Sequence, residues 1–392
     1  MRYTGVTARG IRTPIFKQGD NLVEEVVNCV VTAAEQEGFL LNDRDIVAVT
    51  EAVVGRTQGN YVTCEQITGE INRLFPEDSL GVIFPILSRN RFSLILKAIA
   101  DSKKKIYIQL SYPSDEVGNS FLSMDSIDNK GVRPYVDNFT EKEFREIFGN
   151  DTVHRFTGVD YIEYYKKAGD NIEIVFSNDP LYILNYTNNV LVCDIHSRFR
   201  TQKTLQKSGA YAVRLDEIMT ESIDGSGYNP DYGLLGSNKA TEDKLKLFPV
   251  NTEDFVVELQ KTFLKRTGKL IECMVYGDGG FKDPVGGIWE LADPVIAASF
   301  TNGLSGTPNE LKIKYIADEE FSHLSGDELS EALKKRIREK NKGNTGNTGG
   351  LGTTPRRVSD LVGSLCDLVS GSGDRGTPVV LVQNYFSDYS AI

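Results

Sequence analysis

Residues 277–284 read Gly-Asp-Gly-Gly-Phe-Lys-Asp-Pro and follow the mostly apolar run Lys269–Tyr276. A strand ending in Asp-Gly-Gly would set the carboxylate of Asp278 at a sheet edge. Gly277 and Gly279 on either side would let a ligand approach the backbone closely. With Asp283 and Asp293 downstream, Asp278 could hold Mg²⁺ or Mn²⁺, because hard cations choose carboxylate oxygens. The same residues also suit a plain turn in which Asp-Gly supplies only backbone geometry. Local sequence leaves both readings open.

A second stretch, 343–354, is rich in Gly, Thr and Asn and runs into Pro355, Arg356 and Arg357. Its glycines, Gly350 among them, would bring backbone N–H groups toward an anion. Thr354 suits a helix N-cap with Pro355 in the first turn, and Arg356 adds bidentate donors. A flexible linker would read the same way. Two basic runs stand out in addition. Residues 88–105 carry a net charge of +5, and 198–207 hold Arg198, Arg200, Lys203 and Lys207 with no acid. Such local positive fields suit a small polyanion such as a nucleoside triphosphate, and equally a solvated helix face.

Other chemistries are scarce. The 392 residues include only three histidines, His154, His196 and His323, more than 40 residues apart, so no His-x₃-His metal motif exists. The five cysteines are never closer than 35 residues, which leaves no CxxC for zinc or redox work and makes a disulfide framework improbable. There is no P-loop and no GxSxG, and the GxGxxG at Gly371–Gly376 follows a helical pattern where the dinucleotide fingerprint follows a strand. The net charge of −11 argues against nucleic acid as a partner. With no apolar leader and no run of 18 apolar residues, the expectation is a soluble cytoplasmic chain with no membrane contact.

The elements that must position these residues alternate between helical and strand periods. Strands are expected at Tyr3–Arg12, Asp45–Val54, Leu80–Phe84, Lys105–Leu110, Asn189–Ile195, Lys269–Tyr276 and Pro378–Val382. Helices are expected at Leu22 to about Gly38, Cys64–Leu74, Phe92–Ala100, from Arg198, Thr252–Thr267, Asp327–Asn341 and from Arg356. Three parts follow: an N-terminal α/β part over 1–110, an insertion or small subdomain over 111–188, and a C-terminal α/β part over 189–392. Residues 341–354 form a Gly/Thr-rich loop within the last.

The order of short motifs resembles the coenzyme F-420-0:γ-glutamyl ligase family. The opening runs Lys17-Gln-Gly-Asp-Asn-Leu22, a helix, Leu41-Asn-Asp-Arg-Asp-Ile-Val-Ala-Val-Thr50 and then Val53-Val-Gly-Arg-Thr-Gln-Gly59. The centre runs Gly233-Leu-Leu-Gly-Ser-Asn238, a Phe-Pro, a helix and Met274-Val-Tyr-Gly-Asp-Gly-Gly-Phe281. The end runs from Thr354 through Asp360 and Asp367-Leu-Val369 to Pro378–Val382. The resemblance covers roughly 11–75 and 190–392. It implies an α+β fold with mixed sheets, flanking helices and an interlocked homodimer. It also implies a GTP- and divalent-metal-dependent ligase. A small-molecule acceptor carboxylate would be activated as an acyl phosphate and attacked by the amine of L-glutamate. Asp278 would be the catalytic metal-binding residue, with Asp293 and Asp231 as further metal ligands. Gly277, Gly279, Gly350, Thr354, Arg356, Arg198 and Arg200 would meet nucleotide, and Ser237, Asn238 and Lys203 substrate. Leu235 stands where the family has an aspartate, Gly279 where it has a hydroxyl residue and Ala52 where it has a lysine. The alternative is a non-catalytic nucleotide- or metabolite-binding relative with a degraded metal site.

Overall fold

The computed structural model of the chain describes residues 4–87, 91–120, 122–149, 153–154, 158–277, 280–282, 289–291, 295–308, 310–341, 356–370 and 374–391. For 91, 280–282, 289–291, 341 and 391 only the backbone is described. The chain begins β1 (Thr7–Ile11), α1 (Leu22–Glu37), β2 (Ile46–Thr50), α2 (Glu51–Gln58), β3 (Tyr61–Thr63) and α3 (Cys64–Leu74). It continues β4 (Ser79–Ile83), α4 (Arg91–Ala100), β5 (Lys105–Leu110), α5 (Met124–Asn129), β6 (Phe139–Thr140), α6 (Glu141–Phe148), α7 (Tyr161–Lys166) and β7 (Ile172–Phe176). Next come β8 (Asn189–Val192), α8 (Arg198–Lys207), β9 (Tyr211–Arg214), β10 (Ser237–Lys239), β11 (Lys244–Leu247), α9 (Thr252–Thr267) and β12 (Glu272–Tyr276). The last elements are β13 (Gly280–Lys282), β14 (Trp289–Leu291), β15 (Ala297–Phe300), α10 (Ile313–Glu319), α11 (Gly326–Asn341), α12 (Val358–Val369) and β16 (Val379–Gln383).

Local signals explain the best-defined helices. Asn21 caps α1 by accepting from the Glu24 amide, and Gly38 closes it in the left-handed region at φ 70°. Thr63 and Gln66 form a reciprocal capping box at the start of α3. Residues 45–54, expected as one strand, divide instead. The strand ends at Thr50, and α2 begins at once, which lets Gly55 approach β11 while Val54 joins the apolar cluster under α1 and α9. At Gly55 an added Cβ would lie 2.9 Å from the Leu247 carbonyl oxygen, so that approach requires glycine. Helix α12 likewise starts at Val358 with Arg357 at the N-cap position, later than a cap at Thr354 would place it.

One sheet has five strands in the order β1-β16-β2-β12-β15. Its centre pairs β2 and β12 in parallel, Ile46 opposite Glu272 through Thr50 opposite Tyr276. Apart from Glu272 and Thr50, both strands are apolar because both faces of the sheet are covered. Val47, Val49, Cys273 and Val275 point into the cluster under α1 and α9, while Ile46, Ala48, Met274 and Tyr276 point into the cluster under α12. Each fully buried side chain of this size contributes roughly 1.5–3 kcal/mol.

A second sheet has six strands in the order β6-β7-β5-β4-β8-β9. All its pairings from β7 to β9 are parallel, and only β6 runs against its neighbour. The chain moves outward from β4 to β5 and β7, then returns to β8 and β9 on the other side of β4. This is a doubly wound arrangement whose order reverses between β4 and β8. The stretch 111–188 supplies β6 and β7, so hydrogen bonding in this sheet runs across both 110/111 and 188/189. Strands β10, β11 and β3 form a third sheet, and β13 with β14 a two-stranded ribbon. Mixed sheets with helices on their faces make the fold α+β.

Candidate functional site

Because β2 and β12 are parallel, their C-terminal ends lie at one edge of the five-stranded sheet. There β2 passes into α2 at Glu51, and β12 passes to Gly277, whose amide donates to the Ile296 carbonyl at 2.9 Å. Glu51 is buried and meets the ammonium of buried Lys246 at 3.3 Å. Strand β15 is an edge strand of the same sheet beside β12, and α9 packs on both. Thr252, the first residue of α9, shares a hydroxyl–hydroxyl hydrogen bond of 2.5 Å with Ser299 of β15.

Between residues 229–232, Phe248–Asp254 and β15 opens a cleft of about 370 Å³, lined by Asp231, Tyr232, Thr252, Asp254 and Ser299 among others. Two buried asparagines hold its wall. Asn60 donates to the carbonyls of Tyr228 and Phe248 at 2.9 and 2.6 Å and accepts from the Tyr228 amide. Asn229 donates to Phe248 and Pro249 and accepts from the amides of Asp231 and Tyr232 at 3.0 and 2.8 Å. These are the positioning residues that the sequence reading missed. The hint was there in Asn60, which directly follows Gly59, but an Asn beside a Gly reads first as a turn former. Burial raises the pKa of the Tyr232 hydroxyl and Asp231 adds to this, against the opposing pull of Arg198.

The Gly-Leu-Leu-Gly-Ser-Asn motif is explained by packing. At Gly233, φ is 46° and a Cβ would lie 2.3 Å from the Ile218 carbonyl oxygen; at Gly236 it would lie 2.1 Å from the Phe248 ring. Ser237 is buried and its hydroxyl donates to the Leu234 carbonyl at 2.7 Å, so that hydroxyl is already engaged within the chain. Asn238 is half-buried in β10, opposite Lys246. Leu235 is 1% exposed within the apolar cluster that also holds α3 and α4, so this position offers no metal donor.

Of the expected metal ligands, Asp231 is exposed at the cleft, while Asp278 and Asp293 lie outside the described residues, as do Gly279, Gly350 and Thr354. Among the described residues no three acids, histidines or cysteines converge in a metal-holding group. Asp231 alone does not make a metal centre. The basic helix α8 packs on β8 and β9 of the six-stranded sheet. Its Arg198 is held inside the protein, bonded to Asp216 at 2.8 Å and to the Ile195 carbonyl. Arg200 and Lys203 are exposed on the same helix, and Arg356 is exposed before α12.

A mixed five-stranded sheet, a doubly wound sheet and a polar cleft bordered by β15 and the start of α9 define an α+β protein. The family model for F420-0:gamma-glutamyl ligase matches residues 10–384, and the chain belongs to that family. Comparison with curated proteins returns no match to this sequence. Among the described residues no helix is long and apolar enough to cross a membrane.

Proposed function

We propose that this chain is a γ-glutamyl ligase-type enzyme, dependent on GTP and on Mg²⁺ or Mn²⁺, acting on a small-molecule carboxylate acceptor and L-glutamate. The observation that carries this reading is the family match, which runs through the five-stranded sheet and the 229–238 segment alike. In the proposed reaction an acceptor carboxylate oxygen attacks the γ-phosphorus of GTP and GDP leaves. The glutamate amine then attacks the acyl carbon, the amide bond forms and inorganic phosphate leaves with the proton balance taken up by solvent. Asp278, Asp293 and Asp231 are the proposed metal ligands, and the cation would offset charge on the transferring phosphoryl group. A homodimer belongs to the same proposal.

Thermal shift with GTP and Mn²⁺ tests it directly. Ligand at about 100 times its Kd stabilises the folded state by roughly 2.7 kcal/mol. A rise in Tm for the wild type that Asp278→Ala loses is the expected result, and no rise in the wild type overturns the reading. Buried Leu235 favours a second reading, a relative that binds nucleotide without turning it over. GDP release on addition of glutamate and candidate acceptors separates the two, since the binder shows the thermal shift but releases no GDP.

A further inference from the structure

Helix α8 carries four basic residues and no acid. Thr201, Gln202 and Leu205 are its buried residues, and the helix packs on β8 and β9. Residues 200, 203 and 207 are three and four apart, so their side chains share the opposite side of the helix. Arg200, Lys203 and Lys207 are all exposed there. Among the described residues none of the three has an acid within ion-pair distance. Cations elsewhere are answered: Lys334 pairs with Glu331, Arg336 with Glu320 and Arg145 with Glu141.

An aromatic ring stands beside these cations and is held in place. Phe199 is 56% exposed and lies four residues before Lys203. The guanidinium carbons of Arg198 and Arg214 are 4.6 and 4.3 Å from its ring centroid. Buried Asp216 fixes both arginines, accepting from Nε of Arg198 at 2.8 Å and from Nε of Arg214 at 2.9 Å. Glu217 meets Arg214 at 3.2 Å. Glu116 sits at the start of α8 and accepts from the amides of Ile195, His196 and Ser197 at 2.7, 3.0 and 2.8 Å. It lies beside a cleft of roughly 500 Å³ that Asp115 and Asp194 also line. These acids are engaged by main chain or by the two clamped arginines, so the charge of Arg200, Lys203 and Lys207 stays uncompensated. Stacking on two arginines removes rotamer freedom from Phe199 that a partner would otherwise have to freeze.

We propose that this face of α8 is a docking surface for an acidic segment of another polypeptide. The segment lies extended, with an apolar side chain against Phe199 and carboxylates toward Arg200, Lys203 and Lys207. Charge complementarity selects this occupant: the face is positive on a chain of net charge −11, so a second copy is repelled as a whole while a local acidic run is attracted. Shape selects it too. Small ligands sit in concave sites, and neither of the two clefts includes residues 198–207. The three cations are strung over about 10 Å of open helix surface at 1.5 Å per residue. That length is covered by about three residues of an extended strand. The inference does not rest on the ligase chemistry proposed above.

Fluorescence anisotropy of the full chain with a labelled peptide, Trp-Glu-Ser-Glu-Ser-Glu, and with its counterpart carrying Gln for Glu tests the assignment. At about 50 mM salt the glutamate peptide is expected to bind and the glutamine peptide not to, and about 200 mM salt is expected to weaken binding several-fold. Arg200→Glu with Lys203→Glu in one chain is expected to weaken it at least tenfold, and Phe199→Ala several-fold. The same reversal at Lys261 and Lys265, exposed on α9, is expected to leave it unchanged. No binding of the glutamate peptide, equal binding of both peptides, or equal weakening by the α9 pair overturns the proposal. Tighter binding of a single-stranded oligonucleotide, or self-association that the α8 pair abolishes, overturns it in favour of nucleic acid or a second copy. Loss of the thermal response to GTP and Mn²⁺ in the α8 pair assigns the helix to nucleotide and overturns it as well, whereas no such response in the wild type bears on the ligase reading only.

Discussion

Two acidic clefts among the described residues are built on opposite terms. At the β15–α9 cleft the carboxylates of Asp231 and Asp254 are exposed and keep their water. At the edge of the six-stranded sheet, Asp115 and Asp194 are buried, and burial pushes each carboxyl up to about 6, Glu116 adding to the effect at Asp194. An exposed carboxylate costs the fold almost nothing and is available to a ligand that brings its own charge. A buried one lowers stability unless donors meet it, as four do at Asp115. The difference teaches that the same residue type serves as a buried, main-chain-bonded group in one cleft and as a solvated group in the other.

The largest expected contrast is between Asp115 and Asp231. Asp115→Ala strands four donors in the interior and should lower stability by roughly 3 kcal/mol, read from the urea midpoint at pH 7. Equal destabilisation by Asp231→Ala would contradict the distinction. Next in size is a pH effect. A carboxyl near 6 in the folded chain and near 4 in the unfolded one binds its proton first in the folded state. Its contribution to stability is therefore complete below about pH 4 and is lost as pH rises through 6. Asp194→Asn removes one such group and should raise stability at pH 7.5 by roughly 1–2 kcal/mol. It should also flatten the dependence between pH 4 and 6, seen in urea midpoints taken across that range. The smallest effect is expected at Asp231→Ala, within about 0.5 kcal/mol of the wild type in the same titrations.

Much of the local structure was legible in the chain. The apolar spacing of α1 and the runs Cys64–Leu74 and Thr252–Thr267 defined helices that the structure reproduces, because amphipathic faces are written over a few turns. The six-stranded sheet was much less so. Its strands are four to six residues long, apart from two-residue β6, and their order depends on pairings between distant segments that no local pattern encodes. Asp231, named from the sequence, lines the first cleft, but Asn60 and Asn229 were not named, since buried asparagines that bind main chain look like ordinary loop residues until their partners are known. Asp194 was missed for the same reason. Its sequence neighbour His196 is exposed, while the aspartate two residues earlier is the buried one.

The way the two large sheets are threaded has a consequence for how the chain acquires its shape. Strand β1 pairs with β16, Thr7 opposite Gln383, and β2 waits on both β16 and β12 for its neighbours. The six-stranded sheet, by contrast, is complete by Arg214. During synthesis the inner sheet can close while the outer one still has its N-terminal strands bare, and loop-closure entropy makes the outer sheet the slower to form. Until the last strand emerges, β1 and β2 are exposed pairing edges. A nascent or truncated chain would expose them to aggregation while its inner sheet was already folded.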